Sequence, residues 1–190
     1  MVLTEPKWKS LMAVTTTPLF TPQQCQQIIN IGHQQKPQKA EVGHKDQKGG
    51  NYDTKMRITT ISWIPFKAMH DIYKIIERSM LQANGNHFGY EGMKITEEAQ
   101  FTEYPKGGFY DWHMDADVNY HHEPPVRKIS MTLLLSNQSE FEGGDLEIMI
   151  EGNKPPQLIQ GQAVFFCSLL RHRIRKVKKG VRRSLVMWFG

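Results

Sequence analysis

The sequence predicts an α+β fold that is mainly β, in which helices from the first half of the chain pack outside an antiparallel β-sandwich or barrel. One observation is a change near residue 96, after which short β-prone runs alternate with turn residues. Another is a pair of earlier stretches whose apolar residues recur at helical spacing. Because 190 residues can bury one core, we expect a single domain, with helical support over roughly 1–95 and the β core over roughly 96–190.

The first predicted helix begins at Thr21 and Pro22, an N-cap residue followed by a first-turn proline. The stretch "QQCQQIINIG" then places its apolar residues on one side, and we expect Gly32 to end the helix. A second, longer helix is predicted from about Phe66 to Gln82, where apolar residues recur every three or four positions. Both patterns are typical of helices that pack one face against a core.

The segment between these helices, "KPQKAEVGHKDQKGGNYDTK", is polar and glycine-rich without periodicity, which predicts a mobile surface loop. Strand-like runs follow it in the order "MRITTISWI", "EEAQFTEY", "KISMTLLLS", "GGDLEIMIE", "GQAVFFCS", "HRIRKV" and "RRSLVMWF". The last two runs are separated by "KKG", which is short enough for a hairpin turn.

Composition narrows the class of protein. The chain has no apolar run long enough to cross a bilayer and no secretory signal, so we expect a cytoplasmic protein without a membrane partner. Cys25 and Cys167 lie far apart in apolar stretches, which indicates reduced core thiols. The net charge of +5 comes largely from the tract at residues 171–183. A basic tract alone is more often a solvated edge than a nucleic-acid site.

Two His-x-Asp triplets occur, and their surroundings differ. His44 and Asp46 lie in the predicted loop, where nothing holds the two side chains together, so we interpret them as solvated surface. His113 and Asp115 follow an apparent strand. Side chains two residues apart on an extended chain leave the same face, as two ligands of one metal must.

A histidine and a carboxylate leave a metal short of ligands, and His172 is the candidate third ligand because it opens another predicted strand. Two histidines and one carboxylate form the facial triad that binds Fe(II) and leaves three coordination positions open. His121 and His122 are rival ligands, although "NYHHEPP" is typical of a loop.

The final predicted strand supplies a second polar set. Arg182 and Ser184 alternate onto one face, and we expect this strand to lie next to the one that carries His172. The guanidinium would then point into the cavity near the metal, where its planar fork suits a carboxylate. A dicarboxylate that chelates the metal at one end and pairs with Arg182 at the other fits both sets.

Together these residues form a linked pattern that resembles the 2-oxoglutarate- and Fe(II)-dependent dioxygenases, specifically the prolyl-4-hydroxylase-like group that includes the PKHD-type hydroxylases. "YPKGGFYDWHMD" resembles that family's Y-x-x-G-x-x-Y-x-x-H-x-D, and "RHRIRKVKKGVRRSLVMWF" resembles its closing H-x-V/I…G-x-R-x-S…W segment. Between them, "RKISMTLLLSNQSEFEGGDLEI" is similar to the family's R-x-x-S/T-x-x-x-x-L-S…GG-D/E-L strands. The resemblance extends from about Arg57 to Phe189.

The resemblance implies a double-stranded β-helix, or jelly roll, that forms an Fe(II)/2-oxoglutarate dioxygenase domain. It implies hydroxylation coupled to decarboxylation of 2-oxoglutarate to succinate and CO2. Fe(II), 2-oxoglutarate and O2 are the implied cofactors and co-substrates, with ascorbate as a further candidate. By position, the implied iron ligands are His113, Asp115 and His172, which with Arg182 are also the implied catalytic residues. The implied 2-oxoglutarate contacts are Arg182, Tyr104 and Ser184, and the implied substrate-groove residues are Tyr110, Arg127 and Trp188.

Three functions compete on this basis. The first is a prolyl 4-hydroxylase that acts on a proline-containing peptide or protein. The second is an oxygenase of a free amino acid or other small molecule. The third is a non-catalytic basic jelly roll that binds nucleic acid. The complete ligand set argues against the third, because a module that only binds needs basic or aromatic residues on an exposed face instead.

Overall fold

The computed structural model describes residues 10–39, 55–116, 126–152 and 154–190. Two antiparallel sheets, of seven and four strands, enclose a cavity, and two helices cover the other side of the larger sheet. A separate two-stranded ribbon completes the β structure of these residues. This arrangement is a double-stranded β-helix with supporting helices, so the predicted fold class is confirmed.

The helices are α1 (Pro22–His33) and α2 (His70–Ala83), with shorter helical turns at Phe66–Ala68, Asn84–Phe88 and Gln138–Glu140. Thr21 begins α1 as predicted. Its hydroxyl accepts a hydrogen bond from the Gln24 backbone N–H, and the Gln24 side chain accepts one from the Thr21 backbone N–H. This reciprocal capping box satisfies two backbone donors that the helix itself leaves unpaired.

Two predicted helix boundaries are wrong. Gly32 does not end α1 but lies inside it, and a Cβ at this position would sit 2.5 Å from ring atoms of Phe101. The glycine therefore permits close packing between α1 and the sheet. The helix predicted from Phe66 begins instead at His70, because Met69 has φ −147° and ψ 46°, which is not helical.

The strands, in chain order, are β1 (Met12–Val14), β2 (Gln38–Lys39), β3 (Arg57–Ile58), β4 (Thr60–Ile64), β5 (Ala99–Tyr104), β6 (Phe109–His113), β7 (Ile129–Leu134), β8 (Phe141–Gly143), β9 (Leu146–Ile148), β10 (Ala163–Cys167), β11 (His172–Ile174), β12 (Val177–Gly180) and β13 (Arg182–Phe189). The larger sheet has the order β1-β10-β7-β13-β5-β4-β2, the smaller sheet has the order β3-β6-β11-β9, and β12 pairs with β8. Strands β1 to β4 come from the first half of the chain, so that half supplies sheet edges as well as helices.

Three predictions about the strands are wrong. The final strand, β13, lies between β5 and β7, whereas β11, which carries His172, lies between β6 and β9 in the opposite sheet. The "KKG" segment belongs to β12, which pairs with β8, so no hairpin joins the last two predicted strands. Nearness in sequence favours neighbouring strands, but the chain of a jelly roll crosses repeatedly between two sheets. The run "MRITTISWI" likewise divides at Thr59 into β3 and β4, which join different sheets.

Strand β13 separates the two interiors of the protein because alternate side chains leave its opposite faces. One set packs with the helices in the main apolar core and consists of Leu185, Met187 and Phe189. The other set lines the cavity and consists of Ser184, Val186 and Trp188. The predicted alternation of Ser184 with Trp188 is therefore observed.

Both cysteines are buried free thiols, as predicted. Burial raises the pKa of Cys25 to about 11, which keeps that thiol protonated and unreactive. Among the described residues, no helix combines the length and apolar character needed to cross a membrane.

Several sequence-based interpretations concern residues outside the described part of the chain. These are the greater part of the predicted loop between the helices, including His44 and Asp46, and the rival ligands His121 and His122.

Candidate metal centre

Three side chains of the ligand type meet in the cavity, and we call them the ligand triad: His113, Asp115 and His172. Their ligand atoms all lie within 4.8 Å of one another. His113 ends β6 and His172 begins β11, and the two residues are directly paired across these antiparallel strands. Asp115 follows β6, where its backbone N–H donates to the Ser168 carbonyl at 3.1 Å. Strand pairing thus unites ligands that are distant in sequence.

Backbone carbonyls hold both histidines in the tautomer that a metal requires. Nδ1 of His113 lies 2.8 Å from the Asp111 carbonyl oxygen, and Nδ1 of His172 lies 3.0 Å from the Leu170 carbonyl oxygen. Because a carbonyl oxygen only accepts hydrogen bonds, Nδ1 carries the hydrogen and Nε2 keeps its lone pair. The Nε2 atoms face Asp115, at 3.6 Å from Oδ1 for His113 and 3.4 Å from Oδ2 for His172.

The protonation states of His113 and Asp115 also suit a metal. Burial, with a smaller contribution from His172, lowers the pKa of His113 to about 3, so this ring is neutral near neutral pH. Burial by itself raises the pKa of Asp115, but the two histidines and a hydrogen bond from Ser130 outweigh that effect, and the pKa lies below its ordinary value. Neutral imidazole nitrogens with an ionised carboxylate are the donor set of a facial Fe(II) site.

The spacing of the donor atoms fits the same metal. Ligand bonds of about 2.1 Å at right angles place neighbouring donor atoms about 3 Å apart. The His113 and His172 Nε2 atoms lie 3.6 and 3.4 Å from different oxygens of Asp115, and one ligand atom from each of the three residues lies within 4.8 Å of the other two, so the side chains must draw together to reach that value. The three residues therefore fit a divalent ion such as Fe(II).

Two serines that sequence reasoning did not single out support the triad. Ser130 Oγ donates to Asp115 Oδ2 at 2.7 Å and lies 2.8 Å from Ser168 Oγ, and both serines are fully buried. Such contacts fix the orientation of a ligand carboxylate. A signal for Ser130 was present in the sequence, since it is the serine of the R-x-x-S/T pattern that begins at Arg127.

The triad opens onto a cavity of about 760 Å³ between the sheets. Polar side chains outside the triad line it, and they include Arg57, Gln100, Thr102, Tyr104, Arg127 and Ser184. A volume of this size accommodates a small co-substrate together with the reacting part of a second molecule.

Arg182 is buried beside this cavity, with 3% of its surface exposed. It does not line the cavity directly. Its Nη1 donates to Ser184 Oγ at 3.0 Å, and Ser184 Oγ, which faces the cavity, lies 2.7 Å from Thr102 Oγ1. Burial lowers the pKa of Arg182, while Tyr104 and Asp145 raise it. No carboxylate among the described residues forms an ion pair with the Arg182 guanidinium.

Glycine in the "GGDLEI" segment makes room for this arginine. Gly144 has φ +70°, a left-handed conformation that favours glycine, and a Cβ there would lie 2.9 Å from Arg182 Cδ. The segment that resembled a family motif therefore packs against the arginine stem.

Tyr110 contacts the triad directly. Its ring stacks on His113 with centroids 3.5 Å apart and an interplanar angle of 13°. Arg57 Cζ lies 4.3 Å from the centroid of the same tyrosine ring. Burial raises the pKa of Tyr110 to about 12, so the phenol remains neutral.

Arg127 is held by a carboxylate that sequence reasoning missed. Its Nε and Nη2 donate to the two carboxylate oxygens of Glu97 at 2.7 and 2.8 Å. The guanidinium lies over Trp188, with Cζ 3.7 Å from the ring centroid, and Nη1 lies 3.4 Å from the Asp115 carbonyl oxygen. The fork of Arg127 is thus occupied, and the residue fixes the position of Trp188.

The chain is similar to known oxygenases in sequence. The sequence pattern of the 2OG-Fe(II) oxygenase superfamily matches residues 99–190. A PKHD-type hydroxylase of Synechococcus sp. (strain CC9311) is 30% identical over 142 residues, which cover 73% of this chain and 56% of the relative. Another, from Stenotrophomonas maltophilia (strain R551-3), is 35% identical over 92 residues, covering 47% of this chain and 41% of the relative. The chain spans about half the length of these curated relatives.

Two solved structures share the fold. A prolyl-4-hydroxylase from Pseudomonas putida superposes with a TM-score of 0.68 at 20% identity, covering 95% of this chain and 92% of that one. A Trichoplax adhaerens prolyl hydroxylase, in complex with a hypoxia inducible factor oxygen degradation domain peptide fragment, gives 0.70 at 16% identity, covering 95% and 83%. With the jelly-roll fold, the His-Asp-His cluster and the PKHD-type relatives beside it, the match over residues 99–190 places this part of the chain in the 2OG-Fe(II) oxygenase superfamily.

Proposed function

We propose that this chain is an Fe(II)- and 2-oxoglutarate-dependent hydroxylase that acts on a prolyl residue of a peptide or protein. One observation carries the proposal. The ligand triad and the Arg182–Ser184 pair come from opposite sheets but adjoin the same cavity. A molecule that reaches from the triad to Ser184 needs metal-chelating atoms at one end and a carboxylate at the other, as 2-oxoglutarate has.

The triad would hold the iron through Nε2 of His113, Nε2 of His172 and a carboxylate oxygen of Asp115. A facial Fe(II) site of this kind leaves three positions for a chelating co-substrate and O2, and the chemistry it supplies converts 2-oxoglutarate and O2 to succinate and CO2 while the substrate gains one oxygen atom. Ser130 keeps the second carboxylate oxygen engaged, which orients Asp115 towards the histidines.

Arg182 and its neighbours would bind the distal carboxylate of 2-oxoglutarate. The buried guanidinium has no carboxylate partner of its own among the described residues, and Ser184 and Thr102 present hydroxyls beside it. Tyr104, which is paired with Arg182 across β5 and β13, lines the same end of the cavity. A charged hydrogen bond in a site closed to water is stronger than one in solvent.

The substrate would lie against the aromatic side of the cavity. Tyr110 and Trp188 both line the cavity near the triad. The Tyr110 ring contacts His113 and Arg57, and the Arg127 guanidinium covers one face of Trp188. The remaining apolar surface of these rings suits contact with a proline ring. The PKHD-type relatives and the prolyl hydroxylases of similar fold support a hydroxylase of this kind.

Ion pairs within the basic tract at residues 171–183 support the hydroxylase over the nucleic-acid alternative. They involve four of the eight lysines and arginines of the tract and join Arg173 and Arg175 to Glu147, Lys179 to Glu142 and Arg183 to Glu103. A surface that binds phosphates needs cations that are free to replace counterions.

The test is succinate formation from 2-oxoglutarate with Fe(II), with and without ascorbate, in the presence of blocked proline-containing peptides. Mass spectrometry of the peptides should show a gain of one oxygen, and matched peptides with alanine in place of proline should not stimulate turnover. Alanine at any one position of the triad should abolish iron-dependent turnover. Stimulation by free amino acids alone would favour the small-molecule alternative, and absence of iron-dependent succinate under all conditions would exclude the proposed activity.

A further inference from the structure

A second buried arginine lines the cavity at a position that the proposed chemistry does not use. Arg57 lies on β3, at the edge of the smaller sheet, and is 7% exposed. Its Nη2 donates to Gln100 Oε1 at 3.2 Å, and its guanidinium stacks on Tyr110. Both of these partners are uncharged.

Within the described part of the chain, the charge of Arg57 has no ion-pair partner and its Nε donor has no acceptor. Among the described residues, the buried side-chain polar atoms without a hydrogen bond are Arg57 Nε and Trp188 Nε1, and both residues line the cavity. The Trp188 N–H lies near Asp115, whose pKa it helps to lower, although it does not reach hydrogen-bonding geometry. Among the described residues, no carboxylate forms an ion pair with Arg57.

The two other arginines in or beside the cavity already have an assigned partner. Arg127 is paired with Glu97 through two hydrogen bonds. Arg182 is assigned above to the co-substrate. A buried cation left without an anion is costly, and a buried donor without an acceptor calls for an explanation such as a ligand. The edge of Arg57 formed by Nε and Nη2 is the edge with which arginine binds a carboxylate through two hydrogen bonds.

The position of Arg57 suits a substrate contact. Tyr110 touches both His113 and the Arg57 guanidinium, so the arginine is separated from the triad by the thickness of one aromatic ring. An anion at Arg57 would therefore belong to a molecule whose other atoms reach the metal side of the cavity. Arg182, by contrast, lies on β13 of the opposite sheet.

We infer that Arg57 binds a carboxylate of the primary substrate, so that the hydroxylated residue lies next to an acidic group. This inference rests on the proposed function and narrows its substrate class. The carboxylate has two possible sources, the side chain of an acidic residue beside proline in a peptide, or the α-carboxylate of a free or chain-terminal residue.

The experiment compares matched ligands that differ only in this charge. N-acetyl-L-proline is paired with its amide, and blocked peptides with Asp before or after proline are paired with their Asn counterparts. Dissociation constants are measured by ligand-observed NMR titration of the protein, first without metal and then anaerobically with Fe(II) and 2-oxoglutarate. In the wild type, the anionic member of at least one pair should bind about 30-fold more tightly, the loss expected when a buried charge pair is broken.

The variant Arg57→Gln should abolish this preference while 2-oxoglutarate affinity is retained. Arg173→Gln is the control, because Arg173 also stacks on an aromatic ring of the same sheet, at 4.7 Å from Trp112, but is paired with Glu147. Its preference should equal that of the wild type. Arg57→Lys keeps the charge but loses the planar guanidinium, so it should retain part of the preference for the anionic ligand. A partial preference in a folded variant separates a role in binding from a role in folding.

Equal affinities within every wild-type pair, or a preference that survives Arg57→Gln, would overturn the inference and leave Arg57 as a stacking partner of Tyr110. The comparison of charged and uncharged ligands on the wild type needs no variant, so it tests the inference even if Arg57→Gln fails to fold. Failure of the proposed function gives a different result, namely no iron-dependent binding of 2-oxoglutarate to the wild type.

Discussion

Replacing Arg182 with glutamine removes a buried charge whose proposed partner is 2-oxoglutarate. The guanidinium is 3% exposed, and its only hydrogen bond among the described residues is the one to Ser184. Breaking one side of a buried, hydrogen-bonded charge pair costs about 2–5 kcal/mol, or about 30- to 5,000-fold in affinity. We expect the Kd for 2-oxoglutarate to rise within that range. Fe(II) binding should persist because the triad histidines lie in the opposite sheet.

A thermal unfolding assay with Fe(II) under anaerobic conditions measures this effect without turnover. A ligand that binds the folded state raises the Tm once its concentration exceeds Kd. The wild-type Tm should therefore begin to rise at a lower 2-oxoglutarate concentration than the Tm of Arg182→Gln. Without 2-oxoglutarate, Arg182→Gln should be no less stable than the wild type, because the variant no longer buries a guanidinium that lacks an anionic partner.

Arg183→Gln is the control for this experiment. Arg183 is the next residue, but its side chain leaves the other face of β13 and pairs with Glu103 while 24% exposed. Loss of such a pair costs about 1 kcal/mol or less and should not move the 2-oxoglutarate response. Equal responses in the two variants would refute the assigned face, and a large loss of stability in ligand-free Arg182→Gln would make Arg182 a structural residue.

Three further predictions test other parts of the structure. Ser130→Ala should weaken Fe(II) binding by about 10- to 100-fold in a metal titration, the usual effect of removing a contact to a ligand carboxylate. Unchanged Fe(II) affinity would contradict the role of the hydrogen bond from Ser130 to Asp115. Gly32→Ala should lower the free energy of unfolding by about 1–3 kcal/mol because its Cβ collides with Phe101. Gly85→Ala should not lower it, because position 85 has open space around it, and denaturant titration measures the free energy of unfolding of both variants. Trp188→Ala should reduce peptide-stimulated turnover but preserve the slow consumption of 2-oxoglutarate without peptide, and equal losses in both assays would place Trp188 outside the substrate groove.

Most of the details that the sequence predicts correctly are local ones. Side chains alternate between the two faces of any strand, so the run of the final strand alone predicted that Ser184 and Trp188 share a face. Both line the cavity. The Thr21 cap was likewise readable because its signal and its consequence lie within four residues. The linked His113–Asp115 and His172 patterns anticipated a cluster that the structure does assemble.

What the sequence did not reveal depends on contacts between distant segments. In the sequence, Gly32 is typical of a residue that ends a helix. Its role in packing follows only from its contact with Phe101, which is distant in sequence. The neighbour of β13 cannot be inferred from chain order when successive strands alternate between sheets. Glu97 carries no motif, and its role follows only from its two hydrogen bonds to Arg127.

The three arginines in or beside the cavity differ in whether they form an ion pair with a carboxylate, and the charges of the proposed ligands account for the difference. Arg127 is paired with Glu97, whereas Arg57 and Arg182 have no ion pair among the described residues. Asp115 is the carboxylate of these residues that lines the cavity, and Asp145 acts on the buried Arg182 beside it. Binding Fe(II) adds positive charge to a buried site, which is unfavourable on its own, and the two negative charges of 2-oxoglutarate offset it. With metal and co-substrate both bound, Arg57 remains without an ion pair among the described residues. A substrate carboxylate would supply that pair, whereas a neutral substrate would leave the charge of Arg57 buried beside Tyr110.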